Sequence, residues 1–180
     1  GLRAISIIFV VLFHLFPEMG FIKGGFIGVD IFFVISGFLI TSIITHEIQN
    51  NKFSLKVFYI KRINRIFPSL ITVLIFSLVA GYFVLYGKEY EQLGKHVSGA
   101  SIFITNFLLY RESGYFDVLS EVKPLLHLWS LAIEEQFYIF WPLVLLFLKR
   151  RTLWLFPIFT LLIVLSFSFN IFATDYKPVA

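Results

Sequence analysis

The chain contains no cysteine, and only 14% of its 180 residues carry a charge. The absence of cysteine excludes disulfide bonds and metal sites built on thiolates. The scarcity of charge argues against a soluble domain, in which about a quarter of the residues are charged. Instead, 58% of the residues are hydrophobic, 24 of them are phenylalanine, and the mean hydropathy is +0.87. This composition indicates a protein embedded in a lipid bilayer.

Five apolar blocks approach or reach the roughly 20 residues that a membrane-spanning helix needs. They predict an all-α fold, a polytopic transmembrane helix bundle with about five spanning helices. The blocks are Leu2–Phe16, Phe26–Ile44, Ile66–Tyr86, Leu125–Leu148 and Leu153–Ala173. The first block has the length of a signal-peptide core, but no small-residue cleavage site follows it and it contains ionisable residues. We therefore expect it to belong to the bundle. Because the chain begins without Met and ends just after an apolar block, we also expect a fragment, truncated at both ends.

Basic residues cluster at the ends of the apolar blocks. The segments Lys52–Arg65 and Lys149–Arg151 are the most basic, and the positive-inside rule predicts that both are cytoplasmic. The net charge of +4 is then explained by membrane topology, and no nucleic-acid partner is expected. The intervening segment from Gly87 to Pro124 is expected on the other side. Its apolar part, SIFITNFLLY, is too short to span and is expected to be interfacial or re-entrant. His46 and His96 are predicted to be solvated.

The fourth block carries a polar stripe. On a helix, His127, Ser130, Glu134, Tyr138 and Trp141 fall on one face. Ionisable groups are unfavourable in lipid and usually face a cavity or a partner, so the stripe predicts a functional site. Ser130 is a conceivable nucleophile, although no base is identified beside it.

Ionisable residues also occur in the first two blocks. Arg3 and His14 are eleven residues apart, which places them on one helical face about 16 Å apart. Histidine is the side chain best suited to proton transfer near neutral pH. The alternative is an interfacial Arg3 that snorkels and a His14 paired inside the bundle. Asp30, near the start of the second block, is either a helix cap or a site residue.

Two arginines precede the third block. Arg62 and Arg65 are three residues apart and share a helical face, so their guanidinium groups form a fork suited to phosphate. The alternative is that they are topological anchors only.

Four segments resemble signatures of the membrane acyltransferase-3 family, in the family's order. They are GLRAISIIFVVLFH, GGFIGVDIFFVISGFLIT, FYIKRINRIFPSL and LHLWSLAIEEQFYIFWP. A fifth, TNFLLYRESGYFD, is similar to the branch that O-acetylates lipopolysaccharide or peptidoglycan sugars. The resemblance covers the chain as far as Arg151.

The resemblance implies a multi-pass enzyme of the bacterial cytoplasmic (inner) membrane, of which residues 1–180 are the N-terminal part of the acyltransferase domain. It implies that acetyl-CoA or another acyl-CoA in the cytoplasm is the donor substrate, with no bound cofactor. The acceptor is a hydroxyl of an envelope polysaccharide or a lipid-linked sugar. The family signatures imply roles for Arg3 with His14, for Arg62 with Arg65, for Asp30 and for the Glu134–Glu135 region.

The resulting hypothesis assigns His14 as the base and Glu134 as the carboxylate that orients it, so we expect the two side chains to meet. Glu134 and Glu135 point about 100° apart, so no shared metal ion is expected. Donor or substrate binding is assigned to Arg3, Asp30, Arg62, Arg65, Ser130, Glu135 and Tyr138. The alternative function is a proton-coupled transporter of a small polar solute, because intramembrane His, Asp and Glu residues also suit a proton relay.

Overall fold

The structure, a computed structural model, describes residues 1–16, 24–112, 123–148 and 155–176. These ranges contain seven helices and no strand, which confirms the predicted all-α class. The helices are α1 (Leu2–Leu15), α2 (Ile27–Gln49), α3 (Leu55–Val84), α4 (Gly87–Ser101), α5 (Thr105–Glu112), α6 (Leu128–Leu148) and α7 (Leu155–Tyr176).

Each of the five predicted blocks is a helix, but the helices differ in length. Among the described residues, α2, α3 and α6 are long and apolar enough to cross a membrane. Two apolar stretches are shorter, namely α1 (Leu2–Leu15) and Phe156–Phe172 within α7. With 14 residues, α1 rises about 21 Å, less than the roughly 30 Å of a hydrocarbon core. The predicted count of five spans is therefore matched only approximately.

The start of α3 differs most from the prediction. The helix begins at Leu55 rather than at Ile66, so it includes Arg62 and Arg65, which share a helical face as predicted. Lysine and arginine are good helix formers, so the helix continues through the basic residues that precede the apolar block. Pro68 lies inside α3, where it removes the N–H that would bond to the carbonyl of Asn64.

Two short helices connect α3 to α6. The segment predicted not to span the membrane, residues 101–110, supplies the last residue of α4 and the first six residues of the eight-residue α5. The turn between them places Phe103 at φ 57°, and the Ile104 N–H donates to the carbonyl of Gly99 at 2.8 Å. Residues from α3, α4 and the turn before α6 form the core here, namely Leu70, Leu74, Leu93, Ala100 and Leu125.

His96 corrects a prediction. It is 1% exposed rather than solvated, because α4 is a helix whose buried face includes it. Its Nε2 lies 2.9 Å from Glu112 Oε2, and the Lys123 ammonium lies 3.2 Å from the same oxygen. Burial raises the pKa of Glu112, but the hydrogen bonds and charges of His96 and Lys123 outweigh burial and hold that pKa below its ordinary value. His46, by contrast, is exposed, as predicted.

The chain forms two compact units, Gly1–Phe53 and Ser54–Ala180. In the first unit, α1 packs closely on α2. A Cβ added to Gly28 would lie 2.5 Å from the carbonyl oxygen of Ser6, so only glycine permits this approach. In the second unit, α3 to α6 surround the core described above, and Trp141 of α6 contacts Phe159 of α7 at 5.4 Å between ring centroids.

Candidate functional site

In the first unit, Arg3 lies against α2. Its Nε donates to the hydroxyl of Ser36 at 3.0 Å, and its Nη2 donates to the same oxygen. The guanidinium carbon lies 4.9 Å from the centroid of the Phe32 ring. Ser36 is buried, so the cation is held by a neutral hydroxyl and an aromatic face. Beside Arg3, an apolar cleft of ≈ 590 Å³ is lined by residues of both helices, among them Leu2, Val34 and Phe38.

His14 lies in the last turn of α1 and is exposed. Its Nδ1 lies 2.8 Å from the carbonyl oxygen of Val10. A carbonyl oxygen can only accept, so Nδ1 is the donor and Nε2 of the neutral ring carries the lone pair. This tautomer suits a base or nucleophile that acts through Nε2. The pairing of His14 with Glu134 stays a prediction, since the two residues belong to different units.

Asp30 lies in the first turn of α2 and is exposed. The N-cap of this helix is Phe26, and no side chain forms a capping hydrogen bond there. The interpretation of Asp30 as a cap is therefore wrong. Its carboxylate is still well placed to interact with the positive end of the helix dipole, and its role in a site stays a prediction.

In the second unit, Arg62 of α3 reaches α6. The guanidinium carbon lies 4.6 Å from the centroid of the Tyr138 ring and 5.6 Å from that of Phe58. The hydroxyl of Tyr59 donates to the carbonyl of Ile139 at 2.8 Å. Tyr138 is the middle residue of the 21-residue α6, so Arg62 lies at the level of the middle of a candidate membrane span. Sequence reasoning had placed it at the edge of a cytoplasmic loop.

The two glutamates of α6 have different surroundings. Glu134 accepts a hydrogen bond from the hydroxyl of Tyr138, one turn further along, as expected for two members of the predicted stripe. Glu135 is 7% exposed, and its Oε1 has no hydrogen-bond partner among the described residues. Glu134, Arg62 and Arg65 all lie within electrostatic reach of the Glu135 carboxylate.

The remaining members of the stripe have other contacts. The Ser130 hydroxyl donates to the carbonyl of His127 at 3.0 Å, a local helical bond that gives no support to a nucleophilic role. Trp141 stacks on Phe137, with ring centroids 5.2 Å apart.

Sequence reasoning missed three polar groups that position α6. The Tyr59 hydroxyl donates to a backbone carbonyl of α6 close to Pro142. Because proline has no N–H, the Tyr138 carbonyl lacks its usual donor within the helix at this point. The Gln136 amide donates to the carbonyl of Phe103 at 2.7 Å and to the Asn106 side chain at 3.0 Å. A glutamine in an apolar block was the available signal for this contact with α5.

The arrangement on α3 and α6 combines two cations with two carboxylates and a tyrosine. The face of the Arg62 guanidinium is occupied by aromatic rings, which leaves the N–H groups at its edge to bind an anion. Arg65 follows one turn later and is exposed. The chemistry that this arrangement supports is the binding of a phosphorylated molecule close to ionisable groups.

Comparison with known proteins connects this geometry to a family. The family model described as "Acyltransferase domain", of the acyltransferase-3 family, matches residues 1–179. An uncharacterized protein of Haemophilus influenzae is 44% identical over 156 residues, 83% of this chain and 63% of the relative. Peptidoglycan O-acetyltransferase OatA of Listeria monocytogenes is 42% identical over 156 residues, 83% of this chain and 24% of OatA.

The chain thus spans less than two thirds of either relative. No solved structure matches it. The family match over nearly all residues agrees with the order of the four signatures and with the apolar helices. The chain belongs to the acyltransferase-3 family of membrane acyltransferases.

Proposed function

We propose that the protein containing this chain is an integral membrane O-acyltransferase of the bacterial cytoplasmic membrane. It transfers an acyl group, in the first instance acetyl, from cytoplasmic acyl-CoA to a hydroxyl of a cell-envelope carbohydrate. The observation that carries this proposal is the Arg62 guanidinium held between the rings of Phe58 and Tyr138, one turn from Arg65. Family membership supports acyl transfer, and the name of OatA supports acetyl as the group and peptidoglycan as a candidate acceptor.

The donor role of the two arginines follows from the chemistry of coenzyme A. Its phosphate groups are the strongest anions in the reaction, and a guanidinium donates two parallel hydrogen bonds to a phosphate. Contact with the two rings already restricts the conformation of the Arg62 side chain, so less conformational entropy is lost when an anion binds. Arg65 is exposed and offers a second set of donors.

Acyl transfer also requires a base and stabilisation of charge. His14 Nε2 takes the proton of the acceptor hydroxyl, the oxygen attacks the thioester carbonyl, and the carbon–sulfur bond breaks. The proton then passes from His14 to the departing thiolate, so that an ester and free coenzyme A result. Arg3 is the candidate for stabilising negative charge on the carbonyl oxygen, and Glu134 is the candidate for the second catalytic group.

Coenzyme A binding by the full-length protein in detergent tests the donor site. Replacing both arginines, Arg62→Ala with Arg65→Ala, is expected to weaken binding at least about tenfold, because each removes charge-assisted hydrogen bonds. Lysine at both positions restores binding only in part, since an ammonium lacks the planar fork. Calorimetry measures both affinities.

The matched control is Lys56→Ala with Lys61→Ala, which removes the same charge from the same helix. This variant is expected to bind coenzyme A like the wild type. Unchanged affinity in the arginine variant would assign Arg62 and Arg65 to membrane topology alone. Accumulation of a radiolabelled polar solute by proteoliposomes, without any coenzyme A binding, would favour the transporter alternative.

A further inference from the structure

The helix α4 runs back along the last part of α3. The ring of Tyr90 lies 6.1 Å from that of Tyr82, and further along the chain the ring of Phe103 lies 5.8 Å from that of Phe67. As the chain advances from Tyr90 to Phe103, the partner on α3 moves back from residue 82 to residue 67, about 22 Å of helix rise. The two helices are therefore antiparallel and lie side by side.

The packing fixes which face of α4 points away from α3. A Cβ added to Gly81 would overlap the side chain of Leu93, so the helices touch along the buried face of α4. On this buried face, His96 is 1% exposed and pairs with Glu112 of α5 at 2.9 Å. Rotation of α4 about its axis would break both contacts, so the packing holds its opposite face exposed.

The exposed face of α4 is polar along its whole length. On it, Glu91 and Lys95 form an ion pair of 2.9 Å, and both side chains are more than half exposed. The exposed side chains of α4 are Lys88, Glu89, Glu91, Lys95, Ser98 and Ser101. Ionisable groups at membrane depth face a water-filled cavity or a partner rather than lipid.

The adjoining part of α3 exposes apolar side chains instead. From Ile66 to Val84 the helix contains no charged residue and rises about 28 Å, close to the roughly 30 Å of a hydrocarbon core. Its exposed side chains in this part include Val73, Phe76 and Phe83. Such a run of exposed apolar side chains is typical of contact with lipid. Lipid on the α3 side and water on the α4 side of the pair satisfy both surfaces.

The inner end of α4 lies next to the proposed donor site. Phe103 follows α4 and contacts Phe67, which is two residues after Arg65. The carbonyl of Phe103 also accepts a hydrogen bond of 2.7 Å from Gln136, in the middle part of α6. A polar molecule that moves along α4 from the end of α3 thus reaches the level of the donor-binding arginines.

We infer that the polar face of α4 is one wall of a water-filled vestibule, open on the side opposite the basic segments, through which the carbohydrate acceptor reaches the site. Sugar hydroxyls lose their hydrogen bonds in lipid, so the acceptor needs an aqueous route at this depth. The vestibule follows from α3 and α4 alone, whereas the identity of its occupant rests on the proposed function.

Labelling of introduced cysteines in intact cells tests the vestibule, since this chain contributes no cysteine of its own. In a cysteine-free full-length protein, Ser98→Cys is expected to react with a membrane-impermeant thiol reagent at least about tenfold faster than Val73→Cys, because only a hydrated thiol ionises readily to the reactive thiolate. Val73 is the matched control, because it is exposed on α3 at the level that the antiparallel register gives to Ser98. Lys88→Cys, at the outer end of α4, is expected to react readily.

Three labelling results would overturn the vestibule. Absence of reaction at Ser98→Cys would show that lipid or another helix covers the polar face. Equal reaction at Val73→Cys would show that the end of α3 projects out of the bilayer. Reaction of Lys88→Cys only in inside-out vesicles would place the opening on the cytoplasmic side.

The acceptor route is tested on one variant, Ser98→Cys, before and after labelling in membrane vesicles. Attachment of a bulky charged reagent is expected to cause loss of acyl transfer to added acceptor with unchanged coenzyme A binding, because the donor enters from the other side. Transfer that continues after complete labelling overturns the route, and so does a parallel loss of coenzyme A binding. If the unlabelled protein transfers no acyl group although the labelling pattern is as expected, the proposed function fails and the vestibule stands.

Discussion

The two units each hold an arginine against an aromatic ring, but the guanidinium groups are oriented by different contacts. Arg3 of α1 donates to the neutral hydroxyl of Ser36 beside the ring of Phe32. Arg62 of α3 contacts two rings and lies within electrostatic reach of Glu135. The guanidinium of Arg3 is oriented by hydrogen bonds to a hydroxyl, whereas that of Arg62 is oriented by the faces of two rings, which leaves its N–H groups to bind an anion.

The largest expected effect concerns the first unit. His14→Ala in the full-length protein is expected to lower acyl transfer at least about 100-fold, because general base catalysis typically contributes that much. Little loss of folded protein is expected, since the ring is exposed and its Nδ1 bonds to the carbonyl one turn before it in the helix. Release of free thiol from acetyl-CoA in the presence of acceptor measures the rate.

The control for His14 is His46→Ala, which removes another exposed histidine from the last turn of a helix in the same unit. This variant is expected to retain normal transfer. Near-normal turnover in His14→Ala would remove this residue from the chemistry and leave Arg3 as the principal catalytic candidate of the first unit.

The next effect is on the pairing of α1 with α2. Gly28→Val is expected to destabilise the protein by about 2 kcal/mol, because its Cβ would lie 2.5 Å from the Ser6 carbonyl oxygen and the helices must separate. Thermal unfolding in detergent measures the change. Gly24→Ala is the control, since among the described residues a Cβ there would meet Ile27 alone, at 3.7 Å. Equal unfolding temperatures for both variants would contradict the close packing.

The smallest effect concerns a carboxylate with direct ion pairs, Glu112. The pKa of Glu112 in the folded protein is below the ordinary value for glutamate. Its ion pairs therefore stabilise the folded state at pH values above the ordinary pKa, and this contribution is lost as the pH falls through the lowered pKa. The wild type is thus expected to lose stability as the pH falls below about 4.5, the ordinary pKa of glutamate. Glu112→Gln should lose less over this range, as measured by unfolding temperature against pH. Parallel curves would contradict the role of the His96–Glu112–Lys123 cluster.

The sequence predicted the features that depend on local pattern. Long apolar runs located the five main helices, and helical spacing correctly grouped Glu134 with Tyr138. Features that depend on which helices pack together were not predictable. The contact of Arg62 with Tyr138 requires α3 to lie beside α6, and the burial of His96 requires α5 to cover α4. Helical spacing also placed Arg62 and Arg65 on one face, but the apolar run alone set the start of the third helix too late, at Ile66 instead of Leu55.

The bond between Arg3 and Ser36 has a consequence for biosynthesis. The two residues are 33 positions apart, so α1 emerges from the ribosome well before its hydroxyl partner does. An arginine in a lone apolar helix opposes membrane insertion, but in the first turn, where Arg3 lies, by less than the about 2.5 to 3.5 kcal/mol that applies at the helix centre. The nascent α1 therefore gains this partner only once Ser36 has emerged. The two helices are best suited to enter the bilayer together, as a hairpin closed at Gly28.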